Sequence, residues 1–419
     1  MGTSASPNLL AISFYYPPAN NPRAVQVARV LNRVKLPISL VCAGYEDLND
    51  RRDSKLTVQS ESFLHEIMRV PFKRASLLRY AARVAHKIGR PFWEELPDDS
   101  RMWKSSVVNR TQSWFARGNA SPVVVTFGSP MSDHLIGLEL KRRHNMPWLA
   151  HFSDPWTDNP FKKFNWLTRN ANLSYERSVM ESANRLLFTS EETIDLVMAK
   201  YPPSLREKAV VVPHSFEPEQ YPVSERPEFI TVRFLGDMYG PRTPKPLFDA
   251  LIMIGKENPR FLEGVCFEFV GSMCELDVTQ MGYNDLPERL VVLRDSVSNQ
   301  KSLELMTSAD GLMVIDAPAE KSVFLPSKLI DYIGAGRPVI GITPPGTASN
   351  LIERLGGWVG DPANKEKTKE ALVSFIQHLR GRREKKIFNE AWGPPSLRSS
   401  FEAENVGKYF QKLVEDLSI

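Results

Sequence analysis

Short apolar runs alternate with helical stripes along nearly all of this chain, and the alternation breaks once, near the middle, before it restarts. Residues 9–14 read as a buried strand, and residues 15–22 as a proline-rich loop. Val27, Val30, Leu31 and Val34 then fall at i, i+3, i+4 and i+7, one apolar stripe of a helix. Residues 38–41 return as strand. Runs at 123–127, 148–152, 185–189 and 209–212, with a helix carrying Leu135, Leu138 and Leu140 among them, repeat the pattern. Strands that are apolar throughout are buried on both faces, so this order predicts a parallel sheet covered by helices.

The break is compositional. Pro213, Pro218, Pro222 and Pro227 fall close together with Glu217, Glu219 and Glu225, which stops both periodicities and predicts a linker. Strands resume at 230–235, 265–270, 290–293, 311–315 and 338–342. Helices follow near 371–379 and 406–417, with a basic turn at 380–386 between them. The expected fold is α/β, with a Rossmann-like N-terminal domain at 1–213, a linker at 214–229, a second Rossmann-like domain at 230–390, and a segment at 391–419 whose helix returns to the N-terminal domain. A chain of 419 residues suits two domains.

Composition removes several function classes. With 42% hydrophobic and 24% charged residues and no low-complexity tract, the chain is neither disordered nor fibrous. Three cysteines and seven histidines without ligand spacing predict no disulfide framework and no protein-bound metal. No apolar run reaches the ~18 residues of a spanning helix, and the first residues lack a signal-peptide pattern, so a cytoplasmic protein is expected. Met1-Gly2 with Ser6 matches the acylation pattern, a match that chance also supplies. A net charge of +4 does not argue for nucleic acid. The charge is uneven, however: eleven Lys/Arg face four acidic residues between Arg69 and Arg117, with Phe72, Phe92, Trp93, Trp103 and Trp114 interleaved. This block reads either as solvated helix faces or as a surface for anionic lipid, its densest part being Arg69, Lys73, Arg74, Arg79, Arg83, Lys87 and Arg90.

In parallel sheets ligands lie beyond the carboxyl ends of the strands, where loops enter helices. The first such loop has no Gly-x-Gly-x-x-Gly, which argues against a dinucleotide. Its one cation, Arg23, reads equally as a phosphate ligand or a surface cap. The loop at 236–245 combines Gly236 with Arg242, a close backbone approach with a planar charged fork. The segment at 325–339 opens a helix with Pro326, Ser327 and Lys328 and places Asp331 three residues later, a cation for diphosphate and a carboxylate for ribose. Spacing alone fits an ordinary amphipathic helix ended by Gly334 and Gly336 as well.

Together these segments resemble the retaining glycosyltransferases of family 4, whose two-domain fold is called GT-B. The resemblance rests on residues 14–18 with Arg23, on residues 151–156, on 210–213, on the loop from Gly236 to Arg242, and on the helix from Pro326 to Pro338. It implies two Rossmann-like domains whose parallel sheets face across an interdomain cleft. Arg242 and Lys328 then match the cations that hold the donor diphosphate. Asp331 matches the second carboxylate of the family's Glu-x7-Glu motif, on the ribose, and Gly271 and Ser272 match the loop near the nucleobase. His151 and Asp154 fall at polar positions close to the transferred sugar; a hydrogen-bonded core histidine and a turn aspartate are their structural alternatives. The first Glu of the motif falls at Val323, which leaves Asp316 or Glu320 to replace it, and the first loop has Ala19-Asn20-Asn21-Pro22 where relatives carry glycines.

The implied activity is transfer of a sugar from a nucleoside diphosphate sugar to a hydroxyl of a saccharide or lipid-linked acceptor, with retention and without a further cofactor. Peripheral contact with an anionic membrane is the expected location. A nucleotide-sugar epimerase, a sugar phosphorylase and a catalytically degenerate nucleotide-sugar-binding protein share the architecture and stand as alternatives.

Overall fold

The computed structural model describes residues 8–44, 60–72, 96–116, 122–162, 164–238, 240–273 and 276–418. Among them the chain forms two parallel sheets, one of seven strands and one of six. The backbone divides into two compact units, residues 1–213 with 403–419, and residues 214–402.

The first unit contains β1 (Leu9–Ile12), α1 (Pro22–Leu31), β2 (Ile38–Ala43), β3 (Glu66–Val70), α2 (Trp103–Phe115), β4 (Val123–Gly128), α3 (Ser132–His144), β5 (Trp148–Phe152), α4 (Trp166–Ser182), β6 (Arg185–Phe188), α5 (Glu191–Met198) and β7 (Ala209–Val211). Its sheet order is β3-β2-β1-β4-β5-β6-β7. Every residue of β1, β2, β4 and β5 is buried, the signature of central strands covered on both faces. Between β1 and β4 the order reverses, and at such a switch point the loops diverge and leave a crevice. β3 was not expected from the sequence: Glu66 and Arg69 interrupt its apolar pattern because it is an edge strand, partly exposed.

The second unit contains β8 (Ile230–Leu235), α6 (Lys245–Glu257), β9 (Val265–Val270), β10 (Val291–Arg294), α7 (Asn299–Thr307), β11 (Gly311–Ile315), α8 (Ser327–Ala335), β12 (Val339–Ile342), α9 (Thr347–Arg354), β13 (Trp358–Gly360) and α10 (Lys365–Glu384), in the sheet order β10-β9-β8-β11-β12-β13. Again the order reverses, between β8 and β11. β13, three residues long, also escapes the sequence pattern. Both halves are therefore doubly wound α/β sheets.

The proline-rich segment at 214–229, expected as a linker, packs onto the second unit. Phe216 is buried, and its amide donates to the carbonyl of Phe401 at 3.0 Å. Arg383 donates to the carbonyls of Pro227 and Glu228 at 2.7 and 2.6 Å. Residues 391–402, grouped in the sequence reading with the returning helix, also stay with the second unit. The chain rejoins the first unit at α11 (Ala403–Glu415), whose Val406, Phe410, Leu413 and Val414 sit in the same apolar cluster as Val27 and Leu31 of α1.

The basic block changes meaning where it is described. Phe72, Trp103 and Trp114 are core residues, at most 5% exposed, rather than surface aromatics. Arg69 is held by Glu61 and the carbonyl of Pro17, and Lys104 pairs with Glu139 at 3.2 Å. Lys73, Arg74, Arg79, Arg83, Lys87 and Arg90 lie outside the described residues. Among those described, no helix is long and apolar enough to cross a membrane.

Candidate functional site

In the second unit, the loops leaving β8, β9 and β10 are tied together. Gly236 and Gly271 have φ of +143° and +150°, and a Cβ on Gly271 would lie 2.1 Å from the Gly236 carbonyl oxygen, so the two loops meet only because that side chain is absent. Asp237 accepts from the Ser272 amide at 2.7 Å and from the Ser296 hydroxyl at 3.1 Å. The Ser272 backbone, expected near a nucleobase, thus also binds its own loops, its carbonyl accepting from the Met238 amide at 2.9 Å.

Arg242 lies on the loop beyond β8. Its Nε is 3.6 Å from Oδ1 of Asp316, a buried carboxylate at the carboxyl end of β11. Asp316 also accepts from the Ala317 amide at 2.9 Å and from the Ser322 hydroxyl at 2.6 Å. Both its oxygens are engaged, as both oxygens of Asp331 are, and it lies beside Arg242. Glu320 is exposed, and Val323 is buried.

Helix α8 begins at Ser327 after Pro326 and ends at Gly336 with φ +65°, as its start and stop residues dictate. Lys328 Nζ lies 3.7 Å from Oδ2 of Asp331, and Tyr221 donates to the other Asp331 oxygen at 3.3 Å. One residue on, the buried Tyr332 hydroxyl accepts from the Leu235 amide at 2.9 Å, which fixes α8 to the end of β8; burial raises the pKa of that phenol. Arg242 and Lys328 are therefore carried by segments leaving neighbouring strands, each beside its own carboxylate. Their side chains keep 21% and 32% of their surface exposed.

In the first unit, the polar residues gather at the switch point. Asn21 caps α1 by accepting from the Ala24 amide at 2.8 Å. Arg23 then projects across the sheet end: its Nη2 lies 3.2 Å from Nδ1 of His151 and 3.2 Å from the His151 carbonyl oxygen, and its guanidinium stands 5.6 Å from the Phe127 ring centroid. Desolvation lowers the Arg23 pKa to about 10, against the pull of Asp154 and Asp133. Of the two roles open in the sequence, this geometry shows neither directly; Arg23 is turned to His151, which is next to last in β5 and is 3% exposed.

Asp154 follows on the loop after β5 and accepts from the Ser153 hydroxyl at 3.1 Å. That loop is pinned from beneath. Trp156 is buried and donates to Asn172 at 2.8 Å, while the fully buried Glu176 accepts from the Thr157 amide and hydroxyl, both at 2.8 Å, and pairs with Lys200 at 2.6 Å.

Two residues here escaped the sequence reading. Asp133, at the start of α3, accepts from the Phe14 amide at 2.8 Å and so joins the loop after β1 to the helix after β4; burial raises its pKa well above the ordinary range, and nearby Asp98 adds to the shift. His134 meets Thr126 at 2.8 Å, and burial, with Arg23 adding to it, lowers its pKa to about 3. The signal was present as Ser-Asp-His opening a helix after an all-buried strand. Among the described residues, no group of three or more His, Cys, Asp or Glu is placed to hold a metal ion.

No family model matches the chain, and no curated protein is similar enough in sequence to count as a relative. Solved structures match over almost its whole length. The Anabaena protein HepE, in complex with UDP and glucose, gives a TM-score of 0.65 at 12% identity, covering 98% of this chain and 99% of that one. Sucrose-phosphate synthase from Thermosynechococcus elongatus gives 0.65 at 14% with the same coverage. A putative UDP-N-acetylglucosamine 2-epimerase from Listeria monocytogenes gives 0.56 at 11%, covering 98% and 96%. Identities this low carry the fold alone: this chain has the GT-B fold, two Rossmann-like parallel sheets in one polypeptide.

Proposed function

We propose that this chain is a retaining glycosyltransferase of the family 4 kind, moving a sugar from a nucleoside diphosphate sugar to a hydroxyl of a saccharide or lipid-linked acceptor. The observation that carries the reading is the pair of carboxylate-anchored, partly exposed cations, Arg242 and Lys328, on segments leaving the adjacent strands β8 and β11. An anchored cation is already oriented when an anion arrives, so little reorganisation is needed as charge develops. As the glycosidic bond opens, negative charge collects on the departing diphosphate, where these two side chains stabilise it. Gly236 and Gly271 let backbone approach the nucleotide, Ser272 and Ser327 border it, and Asp331 takes the ribose hydroxyls. His151 and Asp154 serve the sugar from the first unit.

The UDP bound to HepE makes uridine nucleotides the first donors to test. Two cations on the diphosphate replace a protein-bound metal in this reading, so turnover survives excess chelator; loss with EDTA and recovery with magnesium contradicts that part. In this reading the acceptor is met at the cytoplasmic face of an anionic membrane, with Lys73, Arg74, Arg79 and Arg83 as the peripheral contact to test.

Thermal shift against a panel of nucleotide sugars tests the donor site, since a ligand at 100 times its Kd stabilises by about 2.7 kcal/mol. Product analysis with an added acceptor then tests the reaction. No stabilisation by any nucleotide sugar sinks the donor site. Epimer formed without transfer favours the epimerase reading, to which the likeness to the Listeria protein lends support, and binding without turnover favours the degenerate nucleotide-sugar-binding protein that Val323 in the motif position admits.

A further inference from the structure

Arg23 and His151 meet at 3.2 Å through Nη2 and Nδ1. A guanidinium has hydrogens on every nitrogen and accepts nothing, so it is the donor in this contact. Nδ1 of His151 is therefore the bare, accepting nitrogen, and the single proton of the neutral ring sits on Nε2. The same Nη2 reaches the His151 carbonyl at 3.2 Å, so side chain and backbone of His151 are gripped together. Neither partner is free to drift: Asn21 caps the helix that carries Arg23, Phe127 lies against both the guanidinium and the imidazole, and β5 is held between β4 and β6. Among the described residues, Asp154, from the loop after β5, and Asp133 and His134, from α3, are coupled electrostatically to Arg23.

We propose that Arg23 is a positioning residue that fixes His151 as its Nε2–H tautomer, so that His151 offers a bound sugar oxygen a hydrogen-bond donor and not a base. The assignment gives Arg23 a task other than holding phosphate. Its kinetic consequence rests on the glycosyltransferase reading; its chemical content does not. The tautomer of a ligand-facing histidine is set by what its other nitrogen meets, and here that neighbour is a donor.

The test is a two-bond proton–nitrogen correlation spectrum of the full chain with nitrogen-15 in its seven histidines, His151 being assigned by its loss in His151→Gln. We expect Nδ1 of His151 in the range of an unprotonated ring nitrogen and Nε2 in that of a protonated one. In Arg23→Met the two signals move toward the averaged positions of mixed tautomers, and Arg23→Lys restores the wild-type pattern in part. A proton on Nδ1 in the wild type overturns the proposal, and so does a spectrum unchanged in folded Arg23→Met. If Arg23→Met does not fold, the wild-type spectrum and Arg23→Lys decide alone. With a donor in hand, Arg23→Met lowers kcat on the order of tenfold at constant donor KM; a raised donor KM at constant kcat assigns Arg23 to the diphosphate and overturns the positioning role. A wild type without transferase activity but with the Nε2–H pattern retires the functional reading and leaves the Arg23–His151 relation standing.

Discussion

Arg242 and Lys328 are cations whose cost of ordering is met before substrate arrives, because Asp316 and Asp331 hold them. Interactions that strengthen only as the diphosphate departs act on kcat. Arg242→Ala and Lys328→Ala are each expected to lower kcat by about 100-fold or more while the thermal midpoint stays within a few degrees. Near-wild-type turnover in either folded variant removes that residue from the donor site. Asp331 differs in kind. Ribose contacts are present before and during the reaction, so Asp331→Asn is expected to raise the donor KM more than it lowers kcat. Because Tyr221 donates to the same carboxylate, the variant also loosens the segment at 214–229, visible as a modest loss of thermal stability. A collapsed kcat at unchanged KM would move Asp331 to the reacting sugar.

At the scale of elements, the loops of the first unit are joined by buried groups whose uncharged forms burial favours. His134 on α3 titrates near 3 in the folded protein, whereas an unfolded chain takes up that proton near 6.5. Below about pH 6.5 the unfolded state therefore binds more protons, and stability falls as pH falls, by up to ~1.4 kcal/mol per pH unit from this one residue. Asp133 acts in the opposite sense: the folded state keeps a proton that the unfolded chain gives up, so its contribution weakens as pH rises. Urea unfolding between pH 7 and pH 4.5 is expected to show a shallower acid decline in His134→Gln than in the wild type; parallel curves refute the assignment. These elements also show what the sequence made legible. Central strands such as β4 and β5 are apolar throughout because helices cover both faces, and so the sheets were readable from one dimension. β3 and β13 were not, since edge strands need no continuous apolar run. The positions of Arg242, Lys328 and Asp331 followed from strand ends and helix starts. The partners did not: Asp316 for Arg242, Tyr221 for Asp331 and His151 for Arg23 meet only after strands distant in sequence become neighbours. Local patterns carry no information about such pairs.

Across the whole molecule, the chain leaves the first unit at Pro213 and returns at Ala403, so that unit is completed last by its remotest segment. The return is close-packed. A Cβ on Gly407 would sit 2.3 Å from that of Arg33, just beyond α1, and the Lys35 amide donates to Gln411 at 2.8 Å. Phe410 is fully buried and stacks at 6.2 Å on Phe127. Phe127 is also the ring beneath the Arg23 guanidinium and 5.4 Å from the ring of His151, so α11 supports the switch-point residues through one intervening side chain. Emptying the Phe410 site removes both transferred apolar surface and the packing of its neighbours, for which Phe→Ala costs about 3–5 kcal/mol. Because the two units have separate cores, calorimetry of Phe410→Ala is expected to resolve a transition displaced to lower temperature from one that stays in place. The displaced transition belongs to the first unit, identified by loss of its slow-exchanging amides in β1, β4 and β5. Stabilisation by a nucleotide sugar should persist in the unmoved transition, since Arg242, Lys328 and Asp331 all lie in the second unit. Equal displacement of both transitions would mean that the units melt as one cooperative body, and an undisplaced first transition would mean that α11 is dispensable to the core it fills.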